Sequence, residues 1–223
     1  MPSQTKRISL GGLVFDVNDN VYEPAEDSYL FVDNLHVAAG DWVLDLGTGS
    51  GVLAASAAKQ GADVVAVDLN PYAVRAGKVN AKLNGVEGKI WFIQGDLFGA
   101  FAYGVLFDAV LFNAPYLPSE AGEDATWIGR AWAGGDDGRV VVDRFIVEVG
   151  RYLRPCGRVL LMQSTLTGVE ETIQKFHLQG FEAKVVTSQR LPFFETLTLI
   201  EAQCLHKKTF KANPVHTYFG VEI

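Results

Sequence analysis

Four short stretches of this chain carry residue types and spacings that could do chemistry. Asp45-Leu46-Gly47-Thr48-Gly49-Ser50-Gly51 joins a short apolar run to an Ala-rich one. Glycine lets the backbone turn tightly and approach a ligand, so such a loop offers main-chain N–H groups at a helix start. A turn that only packs strand against helix would look the same. Asp68 follows Gly47 by 21 residues, at the end of the next apolar run, where an acid can accept hydrogen bonds from both hydroxyls of a ribose. Its bland reading is a helix cap, a role that Asn70 fills better. Gly95-Asp96-Leu97 is suited to an adenine amino group and ring face, or to an ordinary turn. Asn113-Ala114-Pro115-Tyr116 directly follows the apolar run at 107–112. A turn would account for Pro115 but not for the Asn and Tyr on either side.

The glycine spacing narrows the ligand. A dinucleotide site reads G-x-G-x-x-G and sets a pyrophosphate on the helix dipole. Here the order is G-T-G-S-G behind Asp45, and a carboxylate at that dipole end suits an ammonium group rather than a phosphate. Over residues 43–97 the loop and the two acids that follow resemble the first motifs of class I methyltransferases. The resemblance implies S-adenosyl-L-methionine as cofactor, with Asp45, Gly47, Thr48, Gly49, Gly51, Asp68, Leu69, Asp96, Leu97 and Asn113 around it.

Asn113–Tyr116 resembles the Asn-Pro-Pro-Tyr tetrapeptide of methyltransferases that alkylate a planar nitrogen, either adenine N6 or a glutamine amide. The lone pair of such a nitrogen is delocalised, so its N–H groups must be held by acceptors and aimed. The Asn113 side-chain carbonyl and the main-chain carbonyl of residue 114 supply two acceptors, and Tyr116 can stack on the flat group. The sequence departs from the pattern at Ala114, which keeps that carbonyl and stays biased to extended geometry before Pro115.

Two further stretches select a branch. Tyr22-Glu23-Pro24-Ala25-Glu26-Asp27-Ser28 is similar to the N-terminal motif of the archaeal and eukaryotic HemK-like glutamine N5-methyltransferases. By itself it would read as a helix entrance with acids favourable to the dipole. Trp132-Ala133-Gly134-Gly135-Asp136-Asp137-Gly138-Arg139, with Asp143-Arg144-Phe145, resembles the same branch, as does Phe194-Glu195-Thr196-Leu197. The likeness spans residues 21–201. It implies that Tyr22, Pro24, Asp27 and Ser28 close over the methionine end of the cofactor. It further implies that the substrate is the glutamine of a Gly-Gly-Gln loop in a class I translation release factor. A small zinc-binding activator protein, covering an apolar sheet edge, is the partner implied.

Positioning these residues requires alternating strands and helices. Residues 8–17 read as two short strands around Gly11-Gly12, and 26–35 as a helix. Strands are expected at 42–46, 63–69, 89–93, 107–113, 158–163, 181–188 and 195–201, and helices at 52–60, 71–83, 138–153 and 169–179. Such alternation means an α/β fold, here a Rossmann-like seven-stranded mostly parallel sheet with helices on both faces. The ligand crevice then lies at the carboxyl ends of the strands, where every motif above falls. The expected organisation is one catalytic domain over residues 1–223: hairpin and cofactor-covering helix at 1–40, core at 41–203, tail at 204–223.

Composition sets outer bounds. Apolar residues are 48% and charged residues 20% of the 223, an ordinary globular balance. A net charge of −7 counts against a nucleic-acid partner, which calls for clustered Lys and Arg; residues 206–211 (HKKTFK) are one candidate for a local basic patch, expected instead to be a solvated tail. Cys156 and Cys204 make no disulfide framework, and His36, His177, His206 and His216 show no ligand spacing, so no metal site is expected. The first residues lack the apolar stretch of a signal peptide, and no run reaches the ~18 apolar residues of a membrane span; a cytoplasmic location is the expectation. The rivals are an adenine-N6 methyltransferase, disfavoured by charge and by the lack of a recognition insert, a binding module without turnover, and an NAD enzyme.

Overall fold

The structure is a computed structural model that describes residues 5–102, 104–120, 122–192 and 195–205. Strands β1 (Thr5–Leu10) and β2 (Leu13–Asn18) form an antiparallel hairpin, followed by helix α1 (Glu26–Asp33). Then come β3 (Trp42–Leu46), α2 (Val52–Lys59), β4 (Asp63–Asp68), α3 (Pro71–Leu83), β5 (Ile90–Gln94) and β6 (Phe107–Asn113). A four-residue helix α4 (Trp127–Arg130), α5 (Val140–Val149), β7 (Leu153–Ser164), α6 (Val169–Leu178), β8 (Phe181–Arg190) and β9 (Thr196–Cys204) complete it.

The seven-stranded sheet runs β5-β4-β3-β6-β7-β9-β8. The first five are parallel, and β9 enters antiparallel between β7 and β8. The chain leaves β3 toward β5 on one side and resumes with β6 on the other, so a switch point lies at the carboxyl ends of β3 and β6, where open α/β sheets hold ligands.

Side chains alternate across this sheet with the period of two that a strand imposes. Val43, Val64, Ala66, Ala109 and Leu111 pack with the hairpin, α1, α2 and α3. Leu44, Leu46, Val65, Val67, Val110 and Phe112 pack on the opposite face against Val142, Phe145 and Ile146 of α5 and Phe176 of α6. Phe15 of the hairpin is fully buried, so this segment belongs to the core. Its docking on α3 uses two asparagines one turn apart. Asn80 Oδ1 accepts from Asp16 N–H at 2.8 Å, and its Nδ2 donates to Asp16 O at 3.1 Å and to Ser50 O at 2.9 Å. Asn84 repeats the pattern with the main chain of Val14.

Several boundaries differ from the sequence-based expectation. The helix expected at 138–153 closes at Val149, because Leu153 already pairs with Phe107 in β7. β7 therefore starts earlier than residue 158, with an irregular pairing around Cys156 at φ 62. β8 runs on to Arg190, and the helix α4 was not anticipated. No helix among the described residues is long and apolar enough to cross a membrane. The basic cluster at 206–211, the tail to Ile223, and Phe194 lie outside the described residues.

Candidate active site

A cavity of about 650 Å³ opens at the switch point, within the range of small-molecule sites. It is lined by Tyr22, Pro24, Asp27, Ser28, Gly47, Thr48, Gly49, Asp68, Leu69, Asp96, Leu97 and Asn113–Tyr116. Of the residues expected from the sequence to hold the cofactor or the acceptor, Asp45 and Gly51 stay off its wall.

The glycine loop turns through positive φ at Gly47 (62°), Gly49 (56°) and Gly51 (85°). A Cβ on Gly51 would stand 3.1 Å from the Gly77 Cα of α3, so close packing as well as conformation demands glycine there. Thr48 N–H donates to Val67 O at 3.1 Å, leaning the loop on β4. Asp68, at the end of β4, holds it from the other side. Its Oδ2 accepts from Gly49 N–H and its Oδ1 from Asn70 N–H, both at 2.8 Å. Asn70 caps α3 through Tyr72 N–H at 2.9 Å and donates to Asn20 O at 2.7 Å. Burial raises the Asp68 carboxyl above the ordinary carboxylate value, and the two N–H bonds oppose that rise.

Asp45 is placed differently from the expectation of an acid facing a ligand ammonium. On β3 it shares the parity of Val43, so its side chain enters the α2 face behind the loop. There Oδ2 accepts from the Thr48 hydroxyl at 2.6 Å and Ala54 N–H at 3.1 Å, while the buried Oδ1 has no partner. Burial pushes its carboxyl up to about 7, against the hydrogen bonds from Thr48 and Ala54. Asp96 lines the cavity but is exposed and ion-paired with Arg144 of α5 at 2.8 Å.

Asn113 ends β6 on the same face as Leu111, toward α1. Its Nδ2 donates to Asp27 Oδ2 at 3.0 Å, and its buried Oδ1 has no partner. Tyr22 and Tyr116 also donate to Asp27. Burial, then the charge of Asp27, holds both phenols above their ordinary value, so they remain donors. The stretch Trp132–Arg139 backs this loop: Leu117 N–H donates to Trp132 O at 3.0 Å and Gly134 N–H to Leu117 O at 2.8 Å. A Cβ on Gly138 would reach within 2.4 Å of Tyr116 O. Arg139, 5% exposed, donates to Thr167 O and Gly168 O and pairs with Asp143 at 2.9 Å, pinning the far end of the stretch.

Sequence reasoning missed the outer rim, formed by Ser119, Glu120, Asp124, Trp127 and Arg130. Arg130 stacks 5.1 Å from the Trp127 ring centre. Two aromatic residues, Trp127 and Trp132, so soon after the Asn113–Tyr116 loop were the available signal.

A glycine loop at a switch point, an acid after the second strand and an amide oxygen awaiting a partner define a class I methyltransferase site. Comparison with known proteins agrees. Residues 28–113 match the family described as Ribosomal protein L11 methyltransferase (PrmA). A Methanocaldococcus jannaschii protein, assigned as a protein N5-glutamine methyltransferase, is 42% identical over 86% of this chain and 96% of its own. Methyltransferase HEMK2 of Homo sapiens is 32% identical over 82% of this chain and 89% of its own. Among solved structures, a chain of the E. cuniculi Mtq2-Trm112 complex, responsible for methylation of the eRF1 termination factor, superposes with TM-score 0.65 at 25% identity, covering 83% of this chain and 99% of that one. The chain belongs to the HemK-like protein glutamine N5-methyltransferases, which use S-adenosyl-L-methionine.

Proposed function

We propose that this protein methylates the side-chain amide of the glutamine in the Gly-Gly-Gln loop of a class I translation release factor. The observation that carries the reading is the Asn113 amide: its NH2 is engaged by Asp27, while its buried Oδ1 lacks a partner beside the cavity. A buried acceptor without a donor is costly, and a glutamine N–H supplies that donor. The main-chain carbonyl of Ala114 takes the second N–H, and the Tyr116 ring packs on the amide plane. Pro115 holds the turn between them.

The cavity also fits the cofactor. Asp68 and Leu69 would take the ribose, Asp96 and Leu97 the adenine, the loop Gly47–Gly51 the centre, and Tyr22, Pro24, Asp27 and Ser28 the wall at the methionine end. Asp45 acts from behind, holding Thr48 and the start of α2. When bound, S-adenosyl-L-methionine supplies an electrophilic methyl group. Asn113 and Ala114 orient the nitrogen, and orientation of this kind accounts for much of an enzymatic rate. Once methylated, the nitrogen is positively charged and acidic enough to give up its proton to water, so no side-chain base is assigned.

Glu120, Asp124 and Asp136 outnumber Arg130 and Arg144 around the cavity mouth, and with the net charge of −7 this supports a protein acceptor over adenine in DNA or RNA, whose phosphates negative charge repels. A small activator is inferred as a partner; the Mtq2-Trm112 relative supports it, and the β5 edge carries an exposed Trp91 stacked on Trp42. Incubation with labelled S-adenosyl-L-methionine and, separately, release factor, tRNA and DNA tests the function. Label on the Gly-Gly-Gln glutamine is expected. Label on adenine alone would replace this function with the nucleic-acid one.

A further inference from the structure

Five donors converge on the carboxylate of Asp27, which is 5% exposed. Oδ1 accepts from Ser28 N–H at 2.5 Å and the Ser28 hydroxyl at 3.1 Å. Oδ2 accepts from Asn113 Nδ2 at 3.0 Å and the Tyr116 hydroxyl at 3.4 Å. The Tyr22 hydroxyl lies 3.1 and 3.2 Å from the two oxygens. A carboxylate offers about four lone-pair sites, so these donors saturate it and leave none for a ligand ammonium.

The consequence falls on Asn113. A carboxylate only accepts, so the neighbouring amide must turn its NH2 inward and its oxygen the other way. We propose that Asp27 is a positioning residue for the methyl transfer: by holding Asn113 Nδ2 it makes Asn113 Oδ1, an acceptor, the face offered to the substrate nitrogen. This rests on the function proposed above. The contact joins residues 86 positions apart, so it links α1, one wall of the cavity, to the acceptor loop.

The chemistry predicts a reciprocal exchange. In Asp27→Asn, Ser28 N–H keeps the residue-27 oxygen on its own side, and the new NH2 takes the place of Oδ2. It then faces Asn113 Nδ2; two donors repel, Asn113 turns over, and the substrate nitrogen meets an NH2. In Asn113→Asp two carboxylates face each other. Combining both changes restores one donor and one acceptor across the contact and leaves a carboxylate oxygen toward the substrate.

Wild type, both single variants and the double variant are compared by three measurements. These are kcat on a Gly-Gly-Gln release factor at saturating cofactor, calorimetric Kd for S-adenosylhomocysteine, and water exchange of the Asn113 side-chain NH2 by ¹⁵N NMR without substrate. The NMR signal is identified by its loss in Asn113→Ala. Each single change should lower kcat about 10–100-fold, the range for losing a hydrogen bond to a charged group, and the fall in kcat should exceed any rise in Kd. The double variant should recover at least about tenfold over either single one, a coupling that independent structural damage would not give. NH2 exchange should quicken in Asp27→Asn. Unchanged kcat in Asp27→Asn, a loss residing wholly in Kd, or a double variant no better than the singles would each overturn the assignment. If wild type methylates no glutamine, the proposed substrate is wrong, and the NMR signal alone decides the role of Asp27: unaltered exchange rejects it, faster exchange sustains it.

Discussion

Replacing Asp68 by alanine separates a cofactor acid from a helix cap. Asn70 already caps α3, so α3 itself should survive. Each Asp68 oxygen accepts one main-chain N–H at 2.8 Å, which leaves a further lone pair on each for a ribose hydroxyl. Hydrogen bonds to a charged group contribute about 1.5–3 kcal/mol, so Kd for S-adenosylhomocysteine should rise roughly 10–150-fold at about 1.4 kcal/mol per decade. The variant also strips Gly49 N–H of its partner. Gly49 is half-buried and water can reach it, so this adds only about 1 kcal/mol, seen as lower stability. Asp68→Asn should fall between, since it keeps one acceptor oxygen but turns an NH2 toward a main-chain donor. The assay is calorimetric titration of each variant, with urea unfolding of the same samples to measure the stability change. A Kd for Asp68→Ala within threefold of wild type, in protein that unfolds cooperatively, would refute the ribose role.

Three further outcomes follow from the same geometry. Asn80→Ala removes three hydrogen bonds of a fully buried side chain that join the hairpin, α3 and the glycine loop; stability should drop by about 2–4 kcal/mol in urea unfolding, and a loss below about 0.5 kcal/mol would show the docking to be incidental. The Asp45 carboxyl is raised from 3.8 to about 7 in the folded protein, so its contribution to stability is full below about 4 and lost as pH rises through about 7. Between pH 5 and 8 the wild type should therefore lose on the order of 2 kcal/mol that Asp45→Asn does not lose; parallel pH profiles of unfolding free energy would contradict this. Asn113→Ala should depress kcat on the release factor far more than cofactor affinity, the sign of an interaction made in the transition state, while Ala114→Pro, which keeps the carbonyl, should retain activity; wild-type turnover in Asn113→Ala would remove the amide clamp.

What the sequence by itself determined was whatever depends on near neighbours. Periods of two and 3.6 marked strands and helices, because burial repeats with backbone geometry. The glycine loop and Asn70 were legible because positive φ and capping are properties of one or two residues. The Asn113–Tyr116 loop was legible because a buried strand ran straight into it. Tertiary structure decided the rest. That Asp45 serves α2 follows from which face of β3 it occupies, and that face is defined only once α2 packs there. The end of α5 was settled by Phe107 pairing with Leu153, a partner 46 residues away, against a helical pattern that could have continued. The rim of Trp127 and Arg130 comes from a short helix held by tertiary packing rather than by a long periodic signal. Above all, the orientation of the Asn113 amide depends on Asp27 from the far end of the chain. Asn presents an acceptor and a donor of nearly equal shape, and only a neighbour that can do nothing but accept determines which of them the substrate meets.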